Sequence, residues 1–244
     1  MIIETIIPIL MILFVGLPHG AADILIAKRL LNNKYKNIFY FLFIYSSVAI
    51  TVSIIWLIIP SISLVFFLLI SVSHFGLLDT YKTINLRFRN IRAILYGATP
   101  IIIPVVFHTD EVNELFSLLI FANSIELTSY IIHIFPIWLT GNLIFLITGG
   151  VDTKIELIEI ALLSLSLIIL PPLWGFASYF CLIHSMRHTK NVIIAFQYLS
   201  NSDLIALIST ITLSLIVIFL GAYLITTTNF DESLIRLTFI SLGS

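Results

Sequence analysis

Long apolar runs separated by short charged stretches dominate this chain of 244 residues. A helix needs ~17–25 mostly apolar residues to cross the hydrocarbon of a bilayer. On that criterion the pattern predicts spans at Ile2–Ala27, Ile38–Ile59, Ser63–Leu78, Ala93–Phe107, Ile125–Ile147, Ile155–Leu170, Leu173–Arg187 and Leu204–Thr226. Two further apolar stretches are too short to span: Glu111–Ala122, read as an interfacial or re-entrant helix, and Leu234–Leu242. The expected fold is all-α, a polytopic transmembrane helical bundle of about seven or eight spans, in a single integral-membrane domain covering residues 1–244.

Composition agrees. Hydrophobic residues make up 59% and charged residues 10%, with a mean hydropathy of +1.13. A soluble domain carries about 25% charged residues, so this chain lacks the polar side chains to cover a water-facing surface. The net charge of −1 gives no support to nucleic-acid binding. Cys181 is the only cysteine, which excludes a disulfide framework and a thiolate metal cluster. The N-terminus carries Glu4 and lacks both a basic region and an A-x-A-like cleavage site. It is therefore read as the first membrane helix, not as a removable signal.

Loop charges orient the bundle. Lys28, Arg29, Lys34 and Lys36 follow the first predicted span, and Lys82, Arg87, Arg89 and Arg92 follow the third. Both loops are cytoplasmic by the positive-inside rule. The acidic stretch HTDEVNE from His108 faces outward, while Arg187 and Lys190 mark another cytoplasmic end. In this topology the first, third and seventh spans all run from outside to inside.

That topology brings four histidines to one depth, in the cytoplasmic half of the membrane. His19 lies in GLPHGAAD, His74 in SVSHFGLLD, and His184 and His188 in HSMRH. An unpaired polar group in hydrocarbon costs several kcal/mol by rough estimate, so intramembrane ionisable residues are rare and functional by default. His184 and His188 are four apart, which on a helix puts them on one face with Cβ atoms about 5–6 Å apart. His19 and Asp23 have the same spacing. Pro18 and Gly20 suggest a local break beside His19, and Gly76 beside His74 suits close helix packing. A single HxxxH is as easily a hydrogen-bonded pair at a helix end. Four imidazoles at one depth read instead as a single metal centre inside the bundle.

Imidazole suits iron, copper, zinc and nickel, so the ligands alone do not choose the metal. Four histidines would close a tetrahedral zinc site, whereas a six-coordinate ion keeps positions open. An apolar, lipid-embedded pocket favours redox chemistry on a hydrocarbon over hydrolysis, and Fe(II) fits that best. Asp23 and Asp79 are placed to accept from the far N–H of a ligating imidazole. Arg187 is read either as a charge that neutralises one of these carboxylates or as a snorkelling residue at a helix end. His108 reads as a solvated loop residue, and His133 as lying in the outer half of the fifth span.

At Gly16–Asp23, Ser71–Asp79 and His184–His188 the chain resembles the Brp/Blh family of prokaryotic membrane β-carotene 15,15′-dioxygenases. Order and spacing of the three motifs match from the first span to the seventh. The resemblance implies cleavage of the central double bond of β-carotene by O₂ to two molecules of retinal. It also implies a non-haem Fe(II) held by histidines, whose positions carry over to His19, His74, His184 and His188. The partners expected are β-carotene, O₂ and the lipid bilayer, with the retinal supplied to a microbial rhodopsin. The expected location is a prokaryotic inner membrane. A substrate with no polar handle must be recognised by shape and aromatic contact. Phe75, Trp174, Phe176, Tyr179 and Phe180 are the candidate tunnel residues.

Other classes compete. A haem-binding membrane electron carrier with bis-histidine ligation and a histidine-dependent transporter both use intramembrane imidazoles. A di-iron desaturase needs more histidines than the six present. A retinal-binding photoreceptor needs a mid-helix lysine, and Lys190 sits at a helix end.

Overall fold

The computed structural model describes residues 5–15, 25, 27, 28, 31, 35–80, 87–149, 151–196, 200–224 and 230–243. They form α1 (Thr5–Val15), α2 (Tyr35–Ile58), α3 (Pro60–Asp79), α4 (Arg89–Phe107), α5 (Thr109–Ile120), α6 (Ile125–Thr148), α7 (Val151–Ile169) and α8 (Pro172–Tyr179). A π-helical turn, Phe180–His184, joins α8 to α9 (Ser185–Phe196), and α10 (Asn201–Leu224) and α11 (Phe230–Gly243) follow. All described elements are helical. In lipid the backbone must satisfy its own hydrogen bonds, which a helix does within one segment.

Five described helices are long and apolar enough to cross a membrane: Asn37–Ile58 within α2, then α3, α4, α6, and Asp203–Leu220 within α10. Their outward faces keep large apolar side chains exposed, among them Phe39, Phe43 and Leu57 on α2, Phe66 and Ile70 on α3, and Ile137 and Ile147 on α6. Such a surface is at home against acyl chains and not against water. The remaining predicted spans look different. The first is helical over Thr5–Val15, and the residues after Val15 that carry its histidine motif lie outside those described. The sixth has the length, but α7 carries Asp152, Lys154, Glu156 and Glu159. The seventh is not one α-helix: a π turn interrupts it. The two short apolar stretches are helices of 12 residues (α5) and 14 residues (α11), too short to span.

The chain divides into two compact units, residues 61–184 and residues 1–60 with 185–244. In the first, α4 is the central element and packs against α5, α6, α7 and α8. Its sequence suits that position. Ala93, Gly97, Ala98 and Thr99 keep the helix surface low, and Tyr96, Ile102, Ile103 and Val105 are buried around it. Pro100 and Pro104 sit inside the helix, which neighbouring helices make tolerable. Arg92 of α4 is buried against Glu156 of α7, with side chains 3% and 8% exposed. The Arg92 guanidinium also lies 6.0 Å from the centre of the Phe145 ring.

In the other unit α11 packs against α2 and α10. Lys28 Nζ donates to Asp203 Oδ1 at 2.6 Å. Asp203 also accepts from the Ser200 backbone N–H at 3.1 Å and the Ser200 hydroxyl at 2.8 Å. The Asp203 N–H returns a bond to Ser200 Oγ at 3.3 Å, so the first turn of α10 is capped from both sides.

Candidate metal centre

Residues 61–184 bring His74, Asp79, Tyr179 and His184 together. His74 and Asp79 stand on the last turns of α3, and that helix is held by a close crossing with α4. A Cβ on Gly76 would lie 1.9 Å from the Ala93 carbonyl oxygen, and one on Gly97 would lie 2.0 Å from that of Val72. Only hydrogen fits at either place, as the glycine beside His74 suggested.

Tyr179 ends α8 and His184 ends the π turn. Five residues along an α-helix turn through about 500°, which leaves the two side chains about 140° apart. A π turn bonds residue i to i+5 and returns the fifth residue to the face of the first. Both side chains consequently reach the same carboxylate. Tyr179 Oη donates to Asp79 Oδ2 at 2.7 Å. His184 Nδ1 lies 3.4 Å from both Asp79 oxygens. Relative exposures are 1% for Tyr179, 5% for Asp79 and 1% for His184.

A carboxylate oxygen accepts, so the tautomer of His184 that suits this contact carries its hydrogen on Nδ1. The lone pair is then on Nε2, on the far side of the ring. Aromatic rings hold it there. Phe75 meets His184 edge-on at 4.7 Å between centroids and Tyr179 at 5.3 Å. Phe180 stacks on His184 at 5.7 Å and on Phe176 at 5.7 Å. Phe75 and Phe180 therefore wall the imidazole, Phe176 packs behind them, and Tyr179, its ring 6.2 Å from that of His184, is also tied to Asp79. Trp174 is half-buried on α8.

The His74 ring lies 5.1 Å from that of His184, at 60° between planes. With metal–nitrogen bonds of ~2.0–2.1 Å, two imidazoles on neighbouring positions of one ion have centroids about 4.5–5.2 Å apart, depending on the angle between them. The separation of the two rings is compatible with a shared ion, His74 being exposed on α3 and His184 buried, and a carboxylate beside Nδ1 is the kind of outer support that a ligating imidazole uses. His188 and Arg187 are half-buried in the first turn of α9. His19 and Asp23 lie outside the described residues. Among the described residues no group of three or more His, Cys, Asp or Glu is disposed to hold a metal.

The remaining histidines are elsewhere. His108 departs from the solvated loop residue expected. It joins α4 directly to α5, with its side chain 17% exposed, and Nε2 donates to the Ile168 carbonyl at 3.0 Å. The end of α7 leaves carbonyls without helical partners, and His108 satisfies one of them. His133, on the first half of α6, is exposed and donates from Nδ1 to the Ser129 carbonyl at 2.7 Å.

Comparison with known proteins gives two findings. The family model described as "Beta-carotene 15,15'-dioxygenase" matches residues 10–244. A protein of that name from uncultured marine bacterium 66A03 is 30% identical over 200 residues, covering 80% of this chain and 71% of the relative. No solved structure matches.

Proposed function

Because this chain belongs to the β-carotene 15,15′-dioxygenase family and is a carotenoid-cleaving dioxygenase, we propose that it opens the central double bond of β-carotene with O₂. One C=C bond and one O₂ become two C=O groups, giving two molecules of all-trans-retinal. The single observation that carries this reading furthest is His184, buried among aromatic rings and backed by Asp79, with the exposed His74 ring 5.1 Å away. Fe(II) held by His19, His74, His184 and His188 would supply the activation of dioxygen. The cytoplasmic half of seven or eight spans in a prokaryotic inner membrane would house the site, and the retinal would be supplied to a microbial rhodopsin.

The protein's own part is binding, orientation and exclusion of water. β-Carotene is a hydrocarbon that dissolves only in the bilayer, and lateral entry from lipid suits it. Phe75, Phe176 and Phe180 offer ring faces and edges, with no polar group to desolvate against a polyene. Asp79 fixes which nitrogen of His184 is available, and Asp23, four residues after His19, is assigned the same kind of role toward an imidazole. Arg187 is positioned in sequence to balance carboxylate charge. No side chain is required as an acid or base, since neither reactant must gain or lose a proton.

Expression in a carotene-producing bacterium tests the assignment. Loss of the polyene colour with appearance of about two retinals per β-carotene consumed is expected, since a cut at the central bond gives two equal halves. Retention of colour, or longer apocarotenal products, would overturn the central-cleavage assignment.

A further inference from the structure

We propose that Tyr179 is a positioning residue for the metal ligand His184, acting through Asp79; this rests on the reading of His184 as an iron ligand. The strong bond in the trio is not the imidazole–carboxylate contact. Tyr179 approaches Asp79 Oδ2 to 2.7 Å, an ordinary O–H···O length. His184 Nδ1 stays at 3.4 Å from either oxygen, beyond the usual N–H···O range. The phenol therefore sets the plane of the carboxylate, and the carboxylate then presents both oxygens evenly to Nδ1.

The arrangement is built, not incidental. The π turn is the local feature that puts residues 179 and 184 on one face. Phe75 touches both rings edge-on and blocks their rotation. The Gly76–Gly97 crossing fixes the helix that carries Asp79. A tyrosine that merely lined a carotene tunnel would turn its hydroxyl away from the hydrocarbon too. The two roles differ in what its loss changes: a positioning residue controls metal affinity, and a tunnel wall controls substrate affinity.

The test uses the full-length chain in detergent, titrated with Fe(II) under argon, with kcat and KM for β-carotene measured at saturating Fe(II). Tyr179→Phe is expected to bind Fe(II) about tenfold more weakly, the low end for losing an outer support of a ligand, with KM unchanged. Asp79→Ala should be weaker still, and adding Tyr179→Phe to it should change nothing more. Should Phe prevent folding, Tyr179→Gln, which retains an N–H donor, is expected to bind Fe(II) more tightly than Tyr179→Leu. Wild-type iron affinity in Tyr179→Phe, a raised KM alone, additive losses with Asp79→Ala, or equal affinities in Gln and Leu would each overturn the proposal. His184→Ala separates the two levels. If it loses iron while Tyr179→Phe does not, only the tyrosine proposal fails; if it binds iron as the wild type does, the ligand reading fails and the proposal with it.

Discussion

Gly76 and Gly97 face each other where α3 crosses α4, each so close to the opposite backbone that a Cβ would lie 1.9 Å and 2.0 Å from a carbonyl oxygen. On α3 the contact involves Val72 and Gly76, either side of His74 and less than a turn before Asp79, so the backbone contact and the candidate metal centre share one anchor. A methyl group at either glycine has to push the helices apart, since its nearest neighbours are backbone atoms that cannot swing aside. Gly76→Ala and Gly97→Ala are therefore expected to lower thermal stability in detergent and Fe(II) binding together. Wild-type iron binding in a correctly folded Gly76→Ala protein would show that the crossing does not position the site.

Replacing His19, His74, His184 or His188 singly by Ala is expected to abolish cleavage or nearly so. His133→Ala is expected to keep substantial activity. His108→Ala should keep activity as well but lose about 1 kcal/mol of stability, the typical worth of a hydrogen bond such as that to Ile168. Retinal yield and thermal melts of the six variants are the measurements. A dispensable member among the first four would break the ligand set.

Purified protein is expected to hold about one iron per chain, consistent with one set of convergent imidazoles. Chelation should remove activity, and Fe(II) should restore it. Two irons per chain, or haem absorption, would exclude a mononuclear non-haem centre.

Asp23→Asn and Asp79→Asn are expected to weaken function by about 10–100-fold and to be partly rescued by excess Fe(II), as for other carboxylates that orient a ligating histidine. Alanine should be worse than asparagine at both positions. Rates measured across an iron titration decide the matter: a complete loss that iron cannot rescue would make the aspartate a direct ligand.

Arg92→Met removes the guanidinium that pairs with buried Glu156 and is expected to destabilise the protein by about 3–5 kcal/mol. The double variant Arg92→Met/Glu156→Leu should recover most of that loss, because replacing a buried pair with apolar side chains is often neutral. Thermal unfolding in detergent reads both. A double variant as unstable as the single would mean that the pair itself is not what matters.

The apolar runs alone determined α2, α3, α4, α6 and α10 to within a few residues, and length alone marked α5 and α11 as non-spanning. Lipid imposes this legibility: a segment without water must bond its own backbone, so apolar length translates directly into helix. The histidine motifs were equally visible, since imidazoles stand out in hydrocarbon. Tertiary structure decided which partners the described groups meet. The α-helical period sets Tyr179 and His184 on different faces, and only the π turn gathers both onto Asp79, 100 and 105 residues away. Arg92 read as a loop charge that sets orientation, yet it is buried against Glu156, 64 residues on. His108 read as solvated, yet it closes the end of α7. Periodicity records which way a side chain leaves its own helix; which partner it meets depends on where another helix is packed, and the sequence pattern of one segment does not contain that.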